Sequence, residues 1–221
     1  MEGPGSVACM VALWAALWLS FVVPAEAQLP VGSLRLTLDA DVISFASVRA
    51  GPGPNRIVSL GPNQHGGSLV SGGPTPVGVS VGYVVAPKLL LGLRVSLGYD
   101  RTKGDDYGPG PLADAHYLDV TLMPELTFVP YGQRSKLFLS VAPLYQISRI
   151  STSTDGRRHI QQGGFGLGVG SFFFVGDAVS ADLGFHFEGR FGNSQFNGDD
   201  SHGIPIQDLR ALVRLGLSLW T

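Results

Sequence analysis

His186, Glu188 and Arg190 stand two residues apart, so on an extended backbone all three point to one side. An imidazole beside a carboxylate could relay protons, and a guanidinium could hold an anion. Asp199, Asp200 and His202 form a second cluster, whose oxygens and imidazole could bind a cation. That cluster lacks the spaced pattern of a calcium loop, and a solvated acidic loop is the simpler reading. Of the remaining histidines, His65 and His159 fall in expected loops and His116 in an expected strand.

The usual signatures of chemistry are missing. No G-x-x-x-x-G-K-[ST], H-E-x-x-H or G-x-S-x-G occurs, and the Gly163–Gly170 run does not satisfy G-x-G-x-x-G. The single cysteine, Cys9, lies near the N-terminus, so no disulfide or thiol chemistry is available further on. We therefore assign no catalytic, cofactor-binding or metal-ligating residue and expect no enzyme and no cofactor. The company of His186, Glu188 and Arg190 supports this. Asp39, Asp41, Arg94, Asp119, Glu125, Asp182, Arg210 and Arg214 fall on the same kind of face, which reads as a structural ion network.

The elements that carry these residues are strands. From Gln207 to Thr221, Leu209, Ala211, Val213, Leu215, Leu217 and Leu219 alternate with Arg210, Leu212, Arg214, Gly216, Ser218 and Trp220. A period of two over fifteen residues is a β-strand, long enough for the nine to eleven tilted residues that cross a bilayer. Seven further segments repeat the pattern: about 33–45, 77–86, 89–99, 115–128, 136–148, 161–174 and 179–191. Pro124 and Pro143 interrupt two of them, predicting a bulge or a lost ladder bond. The connections alternate long and short, with 47–76, 101–113, 149–158 and 192–205 as the long ones. The first of these holds a short apolar run, Ile57-Val58-Ser59-Leu60.

Composition agrees. Charged residues are only 14% of the chain, glycine is abundant at 31, and mean hydropathy is mildly positive. Yet beyond the N-terminus no run approaches eighteen apolar residues, so the chain holds no second membrane helix. A membrane protein without hydrophobic helices must close into a barrel. Residues 1–27 read as a signal peptide, helical where it is ordered, with an apolar run Val7–Val23 and a small-x-small site Ala25-Glu26-Ala27. Without them Lys plus Arg equals Asp plus Glu at 15 each, so no basic excess for nucleic acid remains.

The eight segments resemble the small eight-stranded outer-membrane barrels of Gram-negative bacteria, over all of residues 28–221. The end of the chain, Arg214, Gly216, Leu219 and Trp220, also resembles that family's C-terminal assembly signal, although Thr221 stands where an aromatic is usual. The resemblance implies an all-β, antiparallel, up-and-down transmembrane β-barrel in the cell outer membrane. It implies short periplasmic turns, long extracellular loops and both termini on the periplasmic side. The implied partners are outer-membrane lipids, lipopolysaccharide and, through the last strand, the barrel assembly machinery, with the protein a monomer. Two aromatic girdles are expected: Tyr83, Phe128, Tyr131, Phe172–Phe174 and Trp220 at one rim, and Tyr99, Tyr107, Phe187 and Phe191 at the other. Asp39 is expected opposite Arg214 in the seam between first and last strands, within about two residues of register.

Three functions remain distinct: a non-enzymatic scaffold or adhesion barrel, an outer-membrane lipid-modifying enzyme, and a soluble lipocalin-like ligand-binding barrel. The enzyme would need a Ser/His/acid set on the lipid face or rim. His116 is the outward histidine near the outer rim, and the linear sequence shows no serine beside it. A soluble barrel would turn an outer row rich in Lys, Glu and Thr to water, whereas in segments 77–86, 89–99 and 161–174 that row is mostly Gly and Ser.

Overall fold

The computed structural model describes residues 29–50, 57–61, 77–102, 115–131, 135–152, 156–196 and 199–221. The expected signal peptide, His65 and Tyr107 lie outside these residues. The strands are β1 (Leu34–Ala50), β2 (Ile57–Gly61), β3 (Val77–Ala86), β4 (Leu89–Thr102), β5 (Ala115–Tyr131), β6 (Ser135–Thr152), β7 (Gly156–Phe174), β8 (Val179–Phe196) and β9 (Asp199–Trp220). Eight of them form an antiparallel ring in chain order, closed by β1 against β9.

The ninth strand, β2, is the short apolar run inside the first long connection. β3 pairs only with residues 34–40 of β1, which leaves the upper edge of β1 open on that side. β2 covers residues 44–48 of that edge, satisfying ladder groups that would otherwise be bare.

Facing follows the period of two. Leu36, Leu38, Val79, Val81, Leu91, Leu93, Leu122, Val141, Leu167, Phe185, Leu215 and Leu217 are exposed on the outside, and polar residues fill the inside. From Phe128 to Leu118, and from Leu219 to Leu209, is ten residues of outward apolar side chains. At about 3.4 Å per residue and a tilt of about 40°, that is about 25 Å, the height of an outer-membrane apolar band. A belt of this kind cannot face water, which removes the soluble lipocalin-like reading.

The structure corrects four expectations. First, the segments 149–158 and 192–205 are not long loops. The β6–β7 ladder runs without a shift from Ser135↔Phe173 to Thr152↔Gly156, and β9 begins at Asp199. Above the lipid both faces of a hairpin are wet, so the apolar alternation stops while the backbone pairing continues. Second, β1 carries a bulge between Asp41 and Ile43. Residues 35, 37, 39 and 41 face inward below it, and Ser44 and Ala46 above it, so Val42 does not continue the outward row. Third, Phe172 and Trp220 are buried inside the barrel and belong to no girdle. Tyr83, Phe128, Phe173, Tyr99, Phe187 and Phe191 do face outward. Fourth, the seam is shifted by two residues: Asp41 faces Arg214, and Asp39 faces Gly216.

Pro124 and Pro143 lie at matching positions across β5 and β6. The ladder pairs Leu122 with Tyr145 and Leu126 with Val141 in one register, with no pairing in between. The expected loss of ladder bonds occurs, and no bulge forms there. Neither proline has an N–H, so neither leaves an orphaned donor facing lipid.

Candidate functional site

The barrel interior holds two layers, an apolar floor and an ionic layer. At the end carrying Pro30 and Thr221, Leu29, Val84, Leu90, Val129, Phe138, Phe172 and Trp220 form an apolar floor. Phe138 stacks on Phe172 at 4.6 Å, and Trp220 meets Phe172 edge-on at 5.5 Å. Trp220 Nε1 donates to Ser180 Oγ at 3.0 Å, and the Arg35 guanidinium sits 4.8 Å from the Phe172 ring centre. The segment before β1 seals the floor: Leu29 is 1% exposed, and its N–H donates to the Pro87 carbonyl at 2.8 Å.

The second layer is ionic. Arg94 on β4 donates from Nε to Asp39 Oδ1 at 2.9 Å and from Nη2 at 2.5 Å. Arg214 on β9 donates from Nε to Asp41 Oδ1 at 2.6 Å and reaches Glu188 Oε1 from Nη2 at 3.5 Å. Arg190 binds Glu188 and Gln146. Gln146 Nε2 in turn donates to Asp119 Oδ2 at 2.9 Å, and Ser148 Oγ donates to Asp119 Oδ1 at 3.3 Å. Arg210 donates from Nε to Asp208 Oδ2 at 2.6 Å. Each of these charges is buried, and a lone one would be costly, so the pairing removes most of that cost. Gly78 makes the room, since a Cβ there would lie 2.5 Å from Asp39 Oδ1 and 2.6 Å from Arg94 Nε.

A cavity of about 30 Å³ lies between floor and ion layer, lined by Thr37, Asp39, Arg94, His186 and Arg214 among others. It has room for one or two waters. His186, Glu188 and Arg190 thus do share an inward face. Glu188 is tied to both Arg190 and Arg214, and Arg214 Nη1 lies 3.5 Å from His186 Nδ1. Their donors and acceptors are turned on one another.

The expected pair Asp39–Arg214 is a secondary contact at 3.7 Å. Asp199, Asp200 and His202 are strand residues of β9 and not a loop, and no metal-holding group of side chains occurs among the described residues. His159 is likewise in a strand, β7. One residue was missed. Ser151 on β6 stands directly opposite His116 on β5, on the outer wall. The two are 35 residues apart in sequence, so the ladder register alone reveals them. The outward positions of β5, β6 and β7 at that height, residues 116, 149, 151, 157, 159 and 161, hold no carboxylate to orient an imidazole.

No known family profile matches the chain, and no curated protein is detectably similar in sequence. Solved structures do match in shape. Outer membrane protein OprG from Pseudomonas aeruginosa superposes with a TM-score of 0.51 at 13% identity, covering 86% of this chain and 96% of that one. The fold is that of an outer-membrane β-barrel. The attachment invasion locus protein Ail of Yersinia pestis gives 0.48 at 9% identity over 86% and 99% of the two chains. Outer membrane protease OmpT from Escherichia coli gives 0.47 at 7% over 89% and 99%. At such identities the likeness is one of fold, and a fold does not carry an activity.

Proposed function

We propose that the protein is a non-enzymatic outer-membrane barrel, closed to general solutes, that works through its outer surface. The observation carrying this reading is the filled interior: a buried ion network above a sealed apolar floor. Eight strands enclose just enough space for side chains, and here that space is used. Chemistry in the lumen would need a free base or nucleophile, and the charged groups of the ion layer are committed to each other. Chemistry on the wall would rest on His116 and Ser151, which have no carboxylate beside them among the described outward positions of β5 to β7.

What remains is the outer end of the barrel. There the β6–β7 and β8–β9 hairpins stand above the belt as paired strands, a firm platform for surface partners. Lipopolysaccharide and other outer-membrane lipids are the partners we propose, with the assembly machinery engaging β9.

Osmotic swelling of proteoliposomes tests the reading. In sugars of increasing size the vesicles should swell no faster than protein-free ones. Size-dependent swelling would show an open lumen and sink the proposal.

A further inference from the structure

Beneath the apolar floor the barrel has a second concavity, an open bowl of about 680 Å³ at the end that carries Pro30 and Thr221. Leu29, Lys136, Phe174, Val175, Asp177 and Trp220 are among its lining residues. A largely apolar cavity of this size with a few placed polar groups is the usual form of a small-ligand site. Strand parity builds it. Lys136 and Phe174 continue the inward rows of Phe138 on β6 and Phe172 on β7. The turn from β7 to β8 forms the lip, closed by the Val175 N–H donating to the Val179 carbonyl at 3.0 Å.

Two charges in the bowl have no ionic partner among the described residues. The Lys136 ammonium is half-buried and lies 5.0 Å from the centre of the Phe174 ring, and no carboxylate pairs with it. Asp177 is exposed on the lip and pairs with no cation, Lys136 included. An ammonium partly out of water on an aromatic face holds an anion more firmly than one in free solvent. Lys136, Phe174 and Trp220 face the lumen and not the wall, so the occupant comes from solution and not from the bilayer. It must bring an anion for Lys136, a cation for Asp177 and apolar surface for Phe174, Val175 and Trp220. A short peptide with free carboxylates and a free amine meets all three demands. The peptide stems of the cell wall are chains of that kind.

We propose that this bowl binds the zwitterionic peptide stem of the cell wall. Lys136 takes a stem carboxylate, Asp177 takes the ammonium, and Phe174 and Trp220 cover the aliphatic part. The barrel is then fastened to the wall from below while its other end meets surface partners. This goes beyond the function proposed above and rests on one part of it, that the floor end faces the periplasm.

Trp220 is the only tryptophan in residues 29–221 and lines the bowl, so its emission reports occupancy. The barrel in detergent micelles is titrated with a soluble disaccharide–tetrapeptide fragment of the cell wall. A second titration uses the same fragment amidated at its carboxylates and acetylated at its amine. The free fragment should give a saturable change, and the blocked one should bind about tenfold more weakly. Lys136→Gln should weaken binding of the free fragment about tenfold and Asp177→Asn about threefold. Lys88→Gln, outside the bowl, should not. A Cβ at Gly176 meets nothing within 4 Å, so Gly176→Phe fills the mouth without disturbing the fold. It should abolish binding, and it keeps the test decisive if Lys136→Gln fails to fold. No saturable change with wild type, equal affinity for both fragments, or binding that survives Gly176→Phe would overturn the site. Separately, Val175→Cys should react with an impermeant maleimide only after the outer membrane is permeabilised. Labelling on intact cells would overturn the periplasmic orientation, whatever the titrations show.

Discussion

Arg214 and Asp41, on the last and first strands, are joined inside the barrel across the seam that closes it, Nε to Oδ1 at 2.6 Å. The ladder places them directly opposite, and Arg94 lies 3.9 Å from the same carboxylate. The seam is therefore held by backbone pairing and by a buried charge pair at once. Removing either partner leaves the other buried with only its longer contacts, Asp41 with Arg94 at 3.9 Å, and Arg214 with Glu188 at 3.5 Å and Asp39 at 3.7 Å. Asp41→Asn or Arg214→Gln alone should destabilise the barrel by about 3–5 kcal/mol, and the double change should cost clearly less than the sum. Urea titrations of folding into vesicles measure this. The Asp39/Arg214 cycle should show weaker coupling, because Asp39 is held by Arg94. Additive losses at Asp41 and Arg214 would contradict the pairing.

The facing of the wall gives a second expectation. Leu93 is exposed in the middle of the belt, while Ser96 points inward and is buried. Leu93→Arg should cost about 2–4 kcal/mol in reversible bilayer folding, and Ser96→Thr much less. Equal and mild effects would mean that the apolar row does not meet lipid.

A third concerns activity. His116 and Ser151 face each other on the outer wall, and the neighbouring outward positions among the described residues hold no carboxylate. Lipid A extracted from cells carrying the wild-type gene, His116→Ala, Ser151→Ala or no gene should have the same mass distribution. A mass change that depends on His116 and Ser151 would make the protein a lipid-modifying enzyme.

How much of this the sequence reveals depends on where each residue sits relative to lipid. β4 is legible because Leu89 to Tyr99 alternate aliphatic and small or polar through the whole belt. The bulge in β1 is not, because Val42 and Ile43 are both aliphatic and either could continue the outward row. Trp220 and Phe172 look like rim aromatics by position along their strands. The parity of the neighbouring Arg214 and Ser218 turns Trp220 inward, where it serves the floor. The upper parts of β6 to β9 hide from the hydrophobic pattern because nothing there is lipid-facing.

The seam register, and with it the Asp41–Arg214 pair and the Ser151–His116 juxtaposition, follows from shear around the ring. Shear is a property of all eight strands together and is written in none of them. The ion network itself is legible as a set, since Asp39, Asp41, Arg94, Glu188 and Arg214 share the inward parity. Its partners are not.

The central claim is a closed ring with this register, and one cross-link tests it most directly. Thr37 and Ser218 are opposite in the seam, with Oγ1 and Oγ 2.6 Å apart inside the barrel. The only native cysteine is Cys9, within the expected signal peptide. Directly opposed strand positions bring Cβ atoms to about 4.5–5.5 Å, close enough for a disulfide after a small shift. Thr37→Cys/Ser218→Cys should therefore form an intramolecular disulfide in the folded protein, seen as a mobility change that reductant reverses. Thr37→Cys/Leu212→Cys, six residues out of register on the same inward face, should stay reduced. Efficient cross-linking of the Leu212 pair in preference to the Ser218 pair, or of neither, would contradict the closed barrel described by these strands.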